Sequence, residues 1–167
     1  SLILTEPKIY CNLIRVNEKN YDRVLDMRGK DISKAFYKML RSGQVGVFAE
    51  VEGRIVAHAW MQIARSKENC YNNSYGKLKK NEAVIHFCNT DSNYRGNNIY
   101  PFLIYSLSCI YFNEFQEGMI YITTSIDNYS SQKGLLKIGF EFLEERLIFK
   151  VIKYINFSVS LRKCLMR

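Results

Sequence analysis

Apolar residues recur along the chain with two different periods, and each change of period marks an element. Residues 8–16 (KIYCNLIRV) read as a first strand. Between positions 20 and 42, Tyr21, Val24 and Leu25, then Ala35, Phe36, Met39 and Leu40, fall at helical spacing. Arg28-Gly29-Lys30 interrupts that stripe and predicts two helices with a break near the glycine. Val45–Val51 and residues 54–64 are β-rich runs around Glu52-Gly53, the plainest hairpin signal in the chain. Residues 65–81 are polar, asparagine-rich and glycine-containing, which predicts a long loop. A strand over 82–89 follows. Ile99, Phe102, Leu103, Leu107 and Ile110 then make the stripe of a helix laid on a sheet. Pro101 is tolerated there because it falls in the first turn. Residues 118–126 alternate Ile120, Ile122, Thr124 and Ile126 against Tyr121, Thr123 and Ser125, a strand pattern. Asn128 suits the N-cap of a helix through Ile138. Residues 140–154 predict one long strand or a bent pair, and 155–160 a further strand.

The resulting order is β, α, α, β, β, β, α, β, α, β and an optional last β. A doubly wound fold alternates strand and helix throughout, and the early run of three strands forbids that. The expected class is α/β in the broad (α+β) sense: a mixed, mostly antiparallel central sheet flanked by helices. No repeat, low-complexity tract or Pro/Gly linker divides the 167 residues, so one domain spanning 1–167 is expected. Ser1-Leu2 is compatible with an expression scar.

Composition narrows the function classes. At 47% apolar and 14% aromatic the chain can build a packed core, which argues against disorder. No run of eighteen apolar residues predicts a membrane span, and no basic-then-apolar leader opens the sequence. Cys11, Cys70, Cys88, Cys109 and Cys164 form no CxxC pair and no cluster with histidine, so neither a metal site nor a disulfide framework is expected. A reducing, cytoplasmic setting is the expectation. The net charge of +8 raises the question of nucleic acid. However, Arg15, Arg23, Arg28, Lys30, Lys34, Lys38, Arg41, Lys77, Lys79 and Lys80 are scattered rather than interleaved with aromatics. No nucleic-acid partner is expected: scattered charge reads as an ordinary solvated basic surface, and a small polyanionic ligand would also draw basic residues toward its site.

The densest chemistry lies between residues 83 and 140. An apolar strand runs into Tyr94-Arg95-Gly96-Asn97-Asn98-Ile99-Tyr100-Pro101 and then a helix. Backbone N–H groups at such a turn have no intrahelical partner, and the helix dipole favours an anion beside them. A second strand ends in Asp127-Asn128-Tyr129-Ser130-Ser131, and a short helix closes on Gly139-Phe140. In these motifs and their order the chain resembles the GCN5-related N-acetyltransferase superfamily. The resemblance covers nearly the whole sequence and implies acetyl-coenzyme A (acetyl-CoA) as co-substrate, without a metal. It places Arg95, Gly96, Asn97, Asn98, Ile99 and Tyr100 at the pyrophosphate, with Asn98 and Tyr100 standing where the family has small residues. It places Asn128 and Ser131 along the pantetheine arm, and a backbone N–H among Cys88, Asn89 and Thr90 at the developing oxyanion.

The same resemblance frames the proton transfers. An alkyl amine is protonated at neutral pH, so a base is needed. By strand alternation His86 shares a face with Val84 and Cys88, where the family often carries its base; His58 is the other histidine. The tyrosine that often protonates the leaving thiolate is replaced by Leu135, which leaves Tyr129 as a substitute acid. Cys88 lacks the histidine–acid partnership of a covalent nucleophile, which favours direct transfer. The acceptor is expected to be a small-molecule amine, an amino sugar slightly ahead of a peptide or polyamine. Glu50, Glu68, Glu82 and Asp91 could steer it, and Tyr71, Tyr75 and Trp60 could stack on it. A monomer or homodimer is expected. A non-catalytic CoA-binding module and a basic nucleic-acid-binding domain stay open as alternatives.

Overall fold

A computed structural model describes residues 2–66, 70–72, 76–115, 118–152 and 155–163. Five strands form the central sheet in the order β1 (Asn12–Arg15), β2 (Val45–Val51), β3 (Arg54–Ile63), β6 (Glu82–Thr90), β7 (Met119–Ile122). The first four pair antiparallel, and β6–β7 pair in parallel. A parallel pair requires a crossover, and helix α2 (Ile99–Glu114) supplies it. The sheet is therefore mixed and mostly antiparallel, as expected.

The hairpin at Glu52-Gly53 forms with both turn residues at positive φ, 49° and 79°. Its strands are buried on both faces, which is why they read as near-continuous apolar runs. On one face Val47, Ala57, Ala59, Met61, Ala83 and Ile85 pack against Leu103, Ile104 and Leu107 of α2. On the other, Phe48, Ile55 and Trp60 pack under Phe36 of helix α1 (Leu25–Arg41). Burying one such large side chain contributes about 1.5–3 kcal/mol, so these two layers hold the sheet. Trp60 lies flat over Gly46, its cross-strand neighbour. The predicted break in α1 occurs at Gly29, whose φ of 77° and ψ of 176° are non-helical; a 3-10 turn at Tyr21–Val24 precedes the helix.

Several expectations are corrected. The first strand is shorter, Asn12–Arg15. The segment 65–81 contains a short antiparallel strand pair, β4 (Cys70–Asn72) with β5 (Gly76–Leu78). The strand over 118–126 ends at Ile122, where pairing with β6 stops. After α3 (Tyr129–Lys137), strands β8 (Glu144–Ile152) and β9 (Ile155–Lys163) form their own antiparallel sheet. No described helix is long and apolar enough to cross a membrane.

Candidate active site

The site begins with an irregularity in β6. His86 pairs with Trp60 and Asn89 with His58, so Phe87 and Cys88 together stand opposite Ala59. This is a β-bulge, one residue more on β6 than on its partner. Phe87 takes φ 51°, a conformation that a bulky residue adopts at a cost of about 1–3 kcal/mol. The bulge reverses the alternation beyond it. Val84 and His86 face the α1 side, whereas Cys88 packs with Ala83 and Ile85 on the α2 side. The expectation that His86 and Cys88 share a face is thereby overturned, because an extra residue shifts every later side chain to the opposite face.

Beyond Ile85–Ile122 the parallel strands part. β6 bulges, and Thr123, Thr124 and Ser125 leave the sheet, opening a cleft of about 700 Å³. One wall is β6 from Ile85 to Thr90. The other is the 123–125 segment with the start of α3. The N-terminus of α2 closes the bottom. Among the sequence-derived residues, His86, Cys88, Asn89, Thr90, Arg95, Gly96, Asn98, Ile99, Tyr100, Asn128 and Ser131 all line this cleft. Asn97 and Tyr129 do not. Asn97 turns its amide to the Tyr94 carbonyl and its own carbonyl to the Lys8 N–H. Tyr129 is 66% exposed at the first position of α3.

The turn before α2 has the geometry of an anion cradle. Gly96 has φ 80° and Asn98 φ 59°, the left-handed region that asparagine tolerates. Among the described residues, no N–H from Gly96 to Tyr100 donates to another part of the chain. The Asn98 side chain is pinned outward, its amide donating to the Glu6 carbonyl at 3.3 Å. The N-terminal segment thus braces the cradle from behind. Arg95 donates to the Thr90 carbonyl at 3.2 Å, which holds its guanidinium along the cleft. Asn128 caps α3 as predicted, accepting from the Ser131 N–H at 3.1 Å.

Titratable groups are strongly set by burial. Burial pushes the Cys88 thiol up to about 12, so no thiolate forms at neutral pH. Burial lowers His86, whose Nε2 donates to Gln44 Oε1 at 2.9 Å, leaving Nδ1 as the unprotonated nitrogen. His58 is 1% exposed among Phe36 and Phe87, and neither ring nitrogen has a well-formed hydrogen bond among the described residues. Burial, with a smaller contribution from Arg28, lowers it to about 3.

The acceptor-facing expectations fare less well. Glu50 is engaged by Arg23 and Asn12, Glu82 by the Lys79 N–H and the Tyr121 hydroxyl, and Asp91 by the Asn93 N–H. Trp60 is fully buried and offers no stacking surface. Glu68, Tyr75 and the Tyr71 side chain lie outside the described residues. Sequence reasoning missed Phe87, Tyr94, Lys133 and Lys137 in the cleft. The two lysines, four apart on α3, were available as a helical-spacing signal. Phe87 had none, since only the bulge exposes it.

No family model matches the sequence, and no curated protein matches it either. Solved structures do. An aminoglycoside N-acetyltransferase, AAC(6')-Iy, in complex with CoA aligns with TM-score 0.64 at 19% identity, covering 85% of this chain and 99% of that one. The aminoglycoside 6'-N-acetyltransferase AAC(6')-Ih of Acinetobacter baumannii aligns with TM-score 0.59 at 18% identity, covering 84% and 97%. A ribosomal-protein-alanine N-acetyltransferase of Brucella melitensis gives TM-score 0.59 at 11% identity, covering 84% and 99%. At these identities the likeness establishes the fold. The chain has the fold of the N-acetyltransferases that its motifs resemble.

Proposed function

We propose that this protein is an acetyl-CoA-dependent N-acetyltransferase that acts on a primary amine of a small molecule by direct transfer. The observation that carries the reading is the cleft where β6 and β7 part, with the cradle of free N–H groups at its base. The residues present fit the co-substrate. The amides of Gly96 to Tyr100 and the side chain of Arg95 would receive the pyrophosphate. Lys133 and Lys137 add positive charge on the facing wall. The parted strands leave backbone groups unpaired that can take the amides of the pantetheine arm as a strand would. Bound there, acetyl-CoA supplies an activated acetyl group as a thioester.

The protein's own part is positioning and charge stabilisation. An N–H of the bulged segment, among Cys88, Asn89 and Thr90, receives the developing oxyanion; one such donor is worth roughly 10²–10³ in rate. Holding amine and thioester in line adds to that. His86, neutral and with Nδ1 free to accept, takes the proton of the incoming ammonium directly or through one water. Its partner Gln44 holds the tautomer. Cys88 stays a thiol, which supports direct attack over an acyl-enzyme. An amino sugar is the favoured acceptor, and the aminoglycoside specificity in two of the neighbours' names is consistent with that class.

A thermal-shift titration with acetyl-CoA, followed by free-thiol release across a panel of amines, tests the reading. At one hundred times its dissociation constant a ligand stabilises by about 2.7 kcal/mol, a shift of several degrees. Absence of any shift at millimolar acetyl-CoA refutes it. Saturable binding with no thiol release on any amine would favour a non-catalytic CoA-binding module, the reading that Leu135 raises.

A further inference from the structure

A regular strand sends successive side chains to opposite faces, and β6 breaks that rule at the bulge. His86 stands directly across the ladder from Trp60, so the two share the α1 face. Phe87, the next residue, reaches the same face. Its ring centroid lies 6.0 Å from that of Phe36 on α1 and 5.8 Å from that of His58 on β3. The bulge therefore sets a phenyl ring beside the imidazole and immediately ahead of residues 88–90. Phe36 and His58 are buried and hold one side of the ring, while Phe87 as a whole remains 37% exposed and lines the cleft. Its backbone, at φ 51°, is strained where a glycine would not be. Backbone strain and exposed aromatic surface coincide at one residue of the cleft, which points to a contact with something the cleft receives.

The two faces of the parted sheet are unlike. Cys88 turns to the side of α2, whose N-terminus carries the cradle. The α1 face is left for the acceptor, and it offers Phe87 together with Asn89. Asn89 pairs with His58 across the ladder and so faces α1 as well; it lines the cleft, and its side-chain amide makes no hydrogen bond among the described residues. The carboxylates expected to steer a cation are occupied, Glu50 by Arg23 and Asp91 by the Asn93 N–H. Resting on the function proposed above, we infer that Phe87 is the platform on which the acceptor stacks, selecting an amine carried on a ring-shaped carbon skeleton, an amino sugar, over open-chain amines and polyamines. The C–H groups on one face of a sugar ring carry slight positive charge, and the face of a phenyl ring is negative, so the two attract as they leave water. The sugar hydroxyls find the Asn89 amide. An open-chain amine covers too little of the ring to gain from it, and a polyamine lacks free carboxylates on the described wall. Phe87 moves no proton; it touches the acceptor and fixes its approach. The stacking role expected of Trp60 thus passes to the residue that the bulge exposes beside it.

The test compares Phe87→Gly, which removes the ring and suits the left-handed backbone, with Phe87→Tyr, which keeps a ring. With saturating acetyl-CoA, free-thiol release gives kcat/KM for glucosamine and for ethylamine, and the readout is the ratio of the two. Phe87→Gly should lower that ratio by about tenfold or more, through the KM for glucosamine, and Phe87→Tyr should hold it within about threefold of the wild type. An unchanged ratio in Phe87→Gly overturns the assignment: equal losses on both amines mean that the ring only supports the bulge. A wild type that favours ethylamine or spermidine over glucosamine overturns it as well. The underlying function is read separately. If acetyl-CoA does not bind, or no amine releases thiol, the proposed function falls and the role of Phe87 with it; if thiol is released with open-chain amines alone, only the role of Phe87 falls.

Discussion

Acidification tests the burial of His58 with a magnitude that the structure supplies. The imidazole is enclosed by Phe36 and Phe87, with Arg28 the charged group acting on it, and it is lowered from 6.5 to about 3. Below pH 6.5 the unfolded chain binds a proton at this residue that the folded chain refuses. The folded state accordingly loses stability as pH falls, by about 1.4 kcal/mol per unit, until the folded value is reached. At pH 4.5, two units below the unfolded value, the loss is about 3 kcal/mol, a large fraction of a typical domain's stability. His58→Leu removes the titration and leaves no ring nitrogen without a well-formed hydrogen bond, so it is neutral or mildly stabilising at pH 7. Urea unfolding of both proteins at pH 7 and 4.5 gives the comparison. Lowered groups such as His86, Glu50 and Glu114 weaken both proteins on acidification and cancel in the difference. The variant is expected to gain about 3 kcal/mol relative to wild type between the two pH values. Parallel behaviour within about 0.5 kcal/mol, the scatter of independent sites, would refute the enclosure of His58.

Other perturbations address the core, the cradle and the chemistry. Gly46→Ala would put a Cβ 2.9 Å from three carbons of the buried Trp60 ring; urea unfolding should show a loss of about 1–3 kcal/mol. Asn98→Asp brings a carboxylate beside the cradle and against the Glu6 carbonyl, and calorimetry should show at least tenfold weaker CoA binding; unchanged affinity would move the phosphates elsewhere. Cys88→Ala should retain turnover within a few-fold, since direct transfer needs no thiolate, and a loss of a thousandfold would instead reveal an acyl-enzyme. His86→Ala should lower turnover at least tenfold near pH 7 with acetyl-CoA affinity nearly unchanged. In the wild type, kcat/KM should decline only below pH 6.5, because burial lowers that histidine.

The sequence alone determined the features whose causes lie within a few residues of one another. The hairpin turn at Glu52-Gly53, the break at Gly29, the left-handed Asn98 ahead of α2 and the Asn128 cap each follow from local backbone preference or a hydrogen bond three residues long. The cleft residues around the cradle were legible from the order of motifs that the chain shares with the acetyltransferases it resembles. Tertiary structure decided what depends on a partner strand or a facing helix. The end of β7 at Ile122 is set by where β6 turns away, not by the alternation that continues to Ile126. The bulge at Phe87-Cys88 exists only relative to Ala59 across the ladder, and it alone separates His86 from Cys88. Trp60 looked like a stacking platform until α1 covered it. Tyr100 looked out of place in a phosphate turn, and its position makes sense only beside Gly134 and Ser131 on another helix. Periodicity encodes which face a residue takes along its own element; what that face meets is settled by packing between elements distant in the chain.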